Sequence, residues 1–220
     1  MHGNPASEDS YTPGERPGAA EKACLRRSLV AARGSMSDSA RTSAGRLIRD
    51  HVLEMPEISA AGTIAAYYSS GSEPDTRGLV FALWKRGSYV VLPVLLPDGD
   101  LDWASYEGPD SLAPGPHGLL QPVEPVRGPG TVARADAVLV PALAVDVAGN
   151  RLGRGGGSYD RALARVGPQV PTIALLYDDE LLPSVPAEPH DQRVRLVARP
   201  GHGISAPSAG LSLAVCWHEC

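Results

Sequence analysis

The stretch GNRLGRGGGSYD at positions 149–160 concentrates the residue types that handle phosphate. Gly153, Gly155, Gly156 and Gly157 lack the side chain that keeps backbone amides apart. Their N–H groups can therefore turn toward one point and form a nest for an anion. A helix beginning just after them adds its positive end. Arg151 and Arg154 can fork onto phosphate oxygens or a carboxylate. Asp160, one turn into that helix, is placed to hold magnesium beside the phosphates. A plain flexible turn is the other reading of a glycine run, and the flanking arginines and the trailing Tyr-Asp weigh against it. The stretch lacks the Gly-Lys-Ser/Thr ending of a P-loop. It also misses the dinucleotide register, because Ser158 stands where a third small residue is needed.

The elements that must position this loop follow from hydrophobic periodicity. Ala19 to Arg33 reads as a helix with Leu25, Leu29 and Ala32 on one face. A second helix starts near Ser37 as N-cap and carries Ala40, Ala44, Leu47, Ile48 and Val52. Thr63–Tyr68 is extended and a polar loop follows. A helix with Leu79, Val80, Leu83 and Trp84 then ends at Gly87. Tyr89–Leu95 reads as a buried strand with Leu101–Tyr106 as its hairpin partner. Residues 107–131, rich in Pro and Gly, read as an irregular connection. Ala137–Val145 is the most apolar strand candidate, followed by the glycine loop and a short helix from Tyr159 to Val166. Thr172–Tyr177 and Arg193–Arg199 complete the set. This alternation predicts an α/β fold with an open, mostly parallel central sheet flanked by helices, as a single domain over residues 19–200. Residues 1–18 and 201–220 read as a disordered tail and a flexible tail. Ligands of such sheets sit beyond the carboxyl ends of the strands, which puts Ser69–Thr76, Val145–Asp160 and Tyr177–Asp191 at one rim.

The run VPALAVD at 140–146, taken with the glycine loop and Arg161, resembles the signature of the 5-formyltetrahydrofolate cyclo-ligases. Outside it, Lys22 and Arg26 resemble the family's amino-terminal Lys-x-x-x-Arg, although a solvated basic helix face has the same spacing. Glu73, Asp75 and Thr76 resemble its acidic-x-acidic-Thr segment. Helix capping is the simpler role for Asp75 and Thr76. His190-Asp191 resembles a pair whose aspartate joins the metal site. The resemblance implies a scaffold shared with sugar-phosphate isomerases and CoA transferases. It implies an ATP- and Mg2+-dependent closure of 5-formyltetrahydrofolate to 5,10-methenyltetrahydrofolate, with release of ADP and phosphate. In that chemistry the formyl oxygen attacks the γ-phosphate, nitrogen 10 closes on the activated carbon, and phosphate leaves.

By the same resemblance Lys22, Arg26, Arg151, Gly153, Arg154, Gly155, Gly156, Gly157 and Tyr159 hold ATP. Tyr68, Glu73, Arg154 and Ser158 meet the folate, Glu73 facing the pterin N–H groups. Asp160 and Asp191 hold the metal, and Arg154 is the catalytic residue, meeting both the folate and the developing phosphate charge. Alignment and charge neutralisation carry phosphoryl transfer, so no Ser/His/Asp or Cys/His nucleophile is needed. The chain departs from the family pattern at Ser158, Gln121 and Arg195, where tyrosine, glutamate and aspartate are usual. A folate- or nucleotide-binding paralogue without turnover, or a different phosphate-handling enzyme on the same scaffold, are the alternative readings.

Composition bounds the rest. The net charge of −5 over 220 residues gives no general pull toward nucleic acid or membranes. Lys22 and Lys85 are the only lysines, and arginine supplies the other cations. Cys24, Cys216 and Cys220 form no CxxC pair, which gives no disulfide framework or zinc site. No apolar run reaches the ~20 residues of a membrane span. The expectation is a cytoplasmic monomer whose partners are ATP and a reduced folate.

Overall fold

The computed structural model describes residues 18–209. Residues 1–17 and 210–220, read as parts of the two tails and including Cys216 and Cys220, lie outside the described residues. The elements are α1 (Ala19–Ser35), α2 (Asp38–Glu54), α3 (Pro56–Ala60), β1 (Thr63–Ala65), α4 (Arg77–Lys85), β2 (Tyr89–Leu95), β3 (Leu101–Ser105), β4 (Leu112–Pro114), β5 (Leu120–Pro122), β6 (Ala137–Pro141), β7 (Ala144–Asp146), β8 (Arg151–Leu152), α5 (Ser158–Leu163), β9 (Thr172–Leu175), β10 (Leu181–Leu182), β11 (Leu196–Arg199) and β12 (Gly203–Ser205). Local signals set several boundaries. The Ser37 side chain accepts from the Ala40 N–H at 3.2 Å and starts α2. Past the end of α4, the Ser88 and Gly87 amides fold back onto the Leu83 and Trp84 carbonyls.

The main sheet has the order β12-β11-β9-β6-β1-β2-β3. Its five central strands run parallel, and β3 and β12 close its two edges antiparallel. One apolar cluster joins Ile48, Val52, Leu79 and Leu83 of α2 and α4 to Ile64 and Leu92 of the sheet. Another joins Trp103, Val132 and Leu163 to Val91 and Val138. A β-strand sends alternate side chains to opposite faces, so the two clusters clothe both sides of one sheet.

Several expectations need correction. Ala137–Val145 is not one strand. Its first part is β6 of the main sheet, and its last part is β7 of a small sheet ordered β10-β7-β8. At the break, the Pro141 and Ala142 carbonyls point to arginine side chains instead of strand partners. An apolar run carries no sign of such a switch. Gly203–Ser205, expected in a flexible tail, pairs with β11 from Val197↔Ser205 to Arg199↔Gly203. The short connection through residues 200–202 lets a polar, glycine-rich segment pair along the sheet's last open edge. Residues 107–131 contain the β4–β5 hairpin. Helix α5 ends at Leu163, and β11 begins at Leu196. On α1 the expected face of Leu25, Leu29 and Ala32 holds only in part, with Leu29 buried and Leu25 half-buried beside it. Ala32 is exposed, while Lys22, Leu29 and Arg33 are buried. Leu29 anchors the helix on Leu143, Leu152, Leu182 and Val185 of the small sheet and its surroundings. A side chain of this kind contributes roughly 1.5–3 kcal/mol when buried.

Candidate functional site

Helix α1 presents Lys22, Arg26, Leu29 and Arg33 at spacings of four, three and four, which places them on one stripe. With Leu29 docked, the cations of that stripe reach across to distant parts of the chain. Lys22 Nζ donates to Asp191 Oδ2 at 2.7 Å. Arg26 Nε donates to the Gly153 carbonyl at 2.9 Å. Arg33, 2% exposed, donates through Nε and Nη2 to the two Glu180 oxygens at 2.6 and 2.8 Å. It also donates to the Ala142 carbonyl at 2.6 Å. Burial pushes the Glu180 carboxyl up, and Arg33 counters only part of that. The amino-terminal helix is thus tied to the glycine loop, to the break between the two sheets and to the segment around 180–191.

The glycine loop leaves β8 and enters α5. A side chain at Gly153 would collide with Arg151, since a Cβ there would lie 2.6 Å from Arg151 Nη1. Gly155 has φ +104, and its Cα faces the Arg26 guanidinium. A side chain at the first position would have to displace the buried Arg151 guanidinium, and the left-handed backbone at the second favours glycine.

Between α1, the glycine loop, the end of β1 and the β4–β5 hairpin lies a cavity of about 700 Å³. Lys22, Arg26, Tyr68, Glu73, Arg151, the loop from Gly153 to Gly157, Ser158, Tyr159, Asp160 and Asp191 all line it. One part is charged, with Lys22, Arg26, Arg151, Glu188 and Asp191. Another is apolar, with Pro93, Leu95, Leu101 and Leu119. That combination suits a ligand with an anionic segment and a flat organic ring.

The side chains already hold one another in specific ways. Arg151, expected as a free phosphate fork, is buried, with Nη2 on Asp160 Oδ1 at 3.0 Å and Nη1 on the Pro141 carbonyl at 3.3 Å. Asp160 Oδ1 also accepts the Gln192 amide. Burial opposes charge on Asp191, yet the Lys22 ammonium and the Glu188 N–H hold its carboxyl below the ordinary range. Among the described residues no hydrogen bond reaches Asp160 Oδ2 or Asp191 Oδ1, and His190 Nε2 lies 3.7 Å from the latter. Glu188, His190 and Asp191 offer ligand atoms within 4.8 Å of one another. That trio contains Asp191 but not Asp160.

Arg154, its side chain 58% exposed, lies 3.3 Å from Glu73 Oε1. Glu73 Oε2 accepts the Ser70 N–H at 2.9 Å. Asp75 serves the backbone, accepting the Arg77 N–H at the start of α4. Thr76 accepts from Ser69 N and donates to the Tyr67 carbonyl, which fixes the turn carrying Glu73. Ser158 Oγ donates to the Gly99 carbonyl at 2.6 Å, binding the glycine loop to the β2–β3 turn. Gln121 accepts the Leu95 N–H and so pins the β4–β5 hairpin to the end of β2.

Sequence reasoning missed Arg33, Tyr67, His117, Gln121 and Glu188 as lining residues. The stripe spacing from Lys22 could have found Arg33. No periodic signal marks Tyr67, His117 or Glu188, which stand outside the α-helices and strands, and Gln121, inside the short strand β5, is singled out only as a departure from the family pattern.

The sequence model of the 5-formyltetrahydrofolate cyclo-ligase family matches residues 18–200. The 5-formyltetrahydrofolate cyclo-ligase of Mycolicibacterium smegmatis is 39% identical over 190 residues, covering 84% of this chain and 96% of that enzyme. The Escherichia coli K12 enzyme of the same name is 31% identical over 159 residues, covering 71% and 87%. Among solved structures, the 5,10-methenyltetrahydrofolate synthetase of Aquifex aeolicus superposes with a TM-score of 0.74 at 24% identity, covering 90% of this chain and 99% of that one. The synthetase of Mycoplasma pneumoniae gives 0.65 at 21% identity, covering 80% and 97%. These likenesses in fold join the sequence matches and the glycine-loop signature, and the chain belongs to the 5-formyltetrahydrofolate cyclo-ligase family.

Proposed function

We propose that this protein uses ATP to convert 5-formyltetrahydrofolate to 5,10-methenyltetrahydrofolate, with ADP and phosphate released. One observation carries the reading: cations from α1, the amides of the glycine loop and the carboxylates of Asp160 and Asp191 converge on a cavity whose other part is apolar. Lys22, Arg26 and the Gly153–Gly157 amides hold the phosphates, with Tyr159 beside them. Arg151 contributes mainly by holding Asp160 in place, since its terminal nitrogens are already engaged.

The residues fit a hard divalent cation such as Mg2+, which takes oxygen ligands and keeps several waters. Asp160 and Asp191 would hold it, with Glu188 within reach of Asp191. A bound Mg2+ would neutralise phosphate charge at this place.

On the organic side, Tyr68 and Leu119 flank the folate and Glu73 accepts its ring N–H groups. Arg154 leaves Glu73 when the ligand arrives and turns to the phosphoryl group during transfer. A flexible, half-exposed guanidinium on a glycine loop can make that move at little cost. The protein's work is alignment and charge neutralisation, a role that asks for no covalent intermediate on the enzyme. Ser158 and Gln121 are engaged with backbone groups, which makes these two departures from the family pattern parts of the scaffold and favours turnover over binding alone. The reading takes the protein as a cytoplasmic monomer acting on small molecules.

Purified protein supplied with 5-formyltetrahydrofolate, ATP and Mg2+ should develop methenyl absorbance, and omission of ATP should abolish it. Folate and ATP binding by calorimetry without any absorbance change would leave a binding paralogue as the correct reading.

A further inference from the structure

Tyr67 follows β1, and its backbone is tightly held, with its carbonyl accepting Thr76 Oγ1 at 2.7 Å. The residue is 4% exposed and packs in the core beside Ile64 and Leu79. Its buried hydroxyl nevertheless has no hydrogen-bond partner among the described residues, and the residue is part of the cavity wall. A buried hydroxyl without a partner is destabilising, and native folds rarely keep one without reason. Burial holds this phenol well above its ordinary pKa, and the Glu73 carboxylate pushes the same way, while Arg33 opposes. The hydroxyl is therefore neutral and keeps a proton to donate. Tyr159, which lines the same cavity, has a second buried hydroxyl without a hydrogen-bond partner among the described residues, and it too is kept neutral by burial and by Glu73.

Glu73 acts electrostatically on both phenols and can only accept hydrogen bonds. A neutral phenol with a free proton beside a carboxylate offers one donor and one acceptor. A ring amide presents the complement: a carbonyl oxygen for the phenol and an N–H for the carboxylate. We propose that Tyr67 is a specificity-determining residue whose hydroxyl donates to a carbonyl oxygen of the reduced folate while Glu73 accepts from the adjoining ring N–H. The inference rests on the folate reading above. Two carbonyl groups of that substrate meet the description, the ring lactam and the N5-formyl group, and the adjoining N–H favours the lactam. A site organised around such a donor also rejects analogues that lack the acceptor, because the donor then stays buried and unpaired.

The test is Tyr67→Phe in the full chain, which removes one oxygen and keeps the ring. Because the hydroxyl has no hydrogen-bond partner among the described residues, the variant should melt at the same temperature as the parent or higher. KM for 5-formyltetrahydrofolate should rise by about 5- to 100-fold, the range for a lost hydrogen bond of this kind, with KM for ATP unchanged. Binding of tetrahydrofolate, which has no formyl group, separates the two acceptors. A loss equal to that of the formyl compound assigns the ring carbonyl. Retained tetrahydrofolate binding with weakened formyl-folate binding assigns the formyl oxygen. A 4-amino tetrahydrofolate analogue gives a check that needs no variant: for the ring assignment the parent protein should bind it more weakly by a similar factor. A lowered melting temperature with unchanged folate KM would overturn the proposal and make the hydroxyl structural. Unchanged kinetics in a variant of an active enzyme would overturn it while leaving the cyclo-ligase reading intact. A parent protein that neither binds nor converts reduced folate would overturn both.

Discussion

Replacing Arg33 by Met should be among the costliest single changes outside the glycine loop, and its magnitude follows from the geometry. The Arg33 and Glu180 side chains are 2% and 6% exposed. The guanidinium meets both carboxylate oxygens and the Ala142 carbonyl. Methionine fits the space of the stem but leaves Glu180 charged and without its cation. Breaking a buried pair in this way costs about 3–5 kcal/mol. For a chain of this size that is a fall in melting temperature of about 6–20 °C. Changing both partners, Arg33→Met with Glu180→Leu, removes the stranded charge. The double variant then loses the hydrogen bonds to the Ala142 carbonyl and from the Tyr177 N–H, about 1–3 kcal/mol each, and, as Arg33→Met also does, the guanidinium's place over the Tyr177 ring. The double variant should therefore be no less stable than Arg33→Met alone. Urea denaturation of the parent, both single variants and the double variant closes the cycle. If Arg33→Met lies within about 1 kcal/mol of the parent, or if the two single losses simply add, the pair does not hold α1 to the sheet break as argued.

Arg154→Ala should lower turnover by at least about 100-fold with little change in ATP affinity, because the guanidinium is assigned to charge that develops in transfer; single-turnover kinetics with calorimetry would separate the two. Gly155→Ala should raise KM for ATP several-fold, since φ +104 strains any other residue, while the melting temperature moves little for so exposed a loop. Asp100 is held below the ordinary carboxyl range, chiefly by Arg165, whose Nη1 donates to it at 3.0 Å. Its contribution to stability is present above the unfolded carboxyl value, about 3.9, and disappears as pH falls through the lower folded value. Asp100→Asn should then be less stable than the parent at neutral pH, and urea melts on a descending pH series should show that gap closing only in acid.

Much of the scaffold was legible because its signals are local. Tyr89–Leu95 forms a strand over those same residues, and Ser37 caps α2 as its hydroxyl suggests. The glycine loop was legible for the same reason, since its residue types allow little else. What the sequence hid was non-local. The switch of Ala137–Val145 between two sheets depends on arginines from α1 and β8 capturing the carbonyls at the break. Arg33 lies in a position where periodicity looks for an apolar residue, so the apolar stripe was drawn through Ala32. The engagement of Arg151 with Asp160 and Pro141 needs three segments to be in place at once, and a string of residue types does not contain that information.

The bond between Lys22 and Asp191 joins residues 169 positions apart. During synthesis the first helix leaves the ribosome long before its far partner is made. A nascent chain halted before residue 191 lacks that partner, and its basic stripe must stay in water or find a provisional contact. Contacts of such long sequence separation form late, because the whole intervening chain must be closed into a loop first. The bond that closes this side of the cavity can thus form only once the chain has been extended past residue 191.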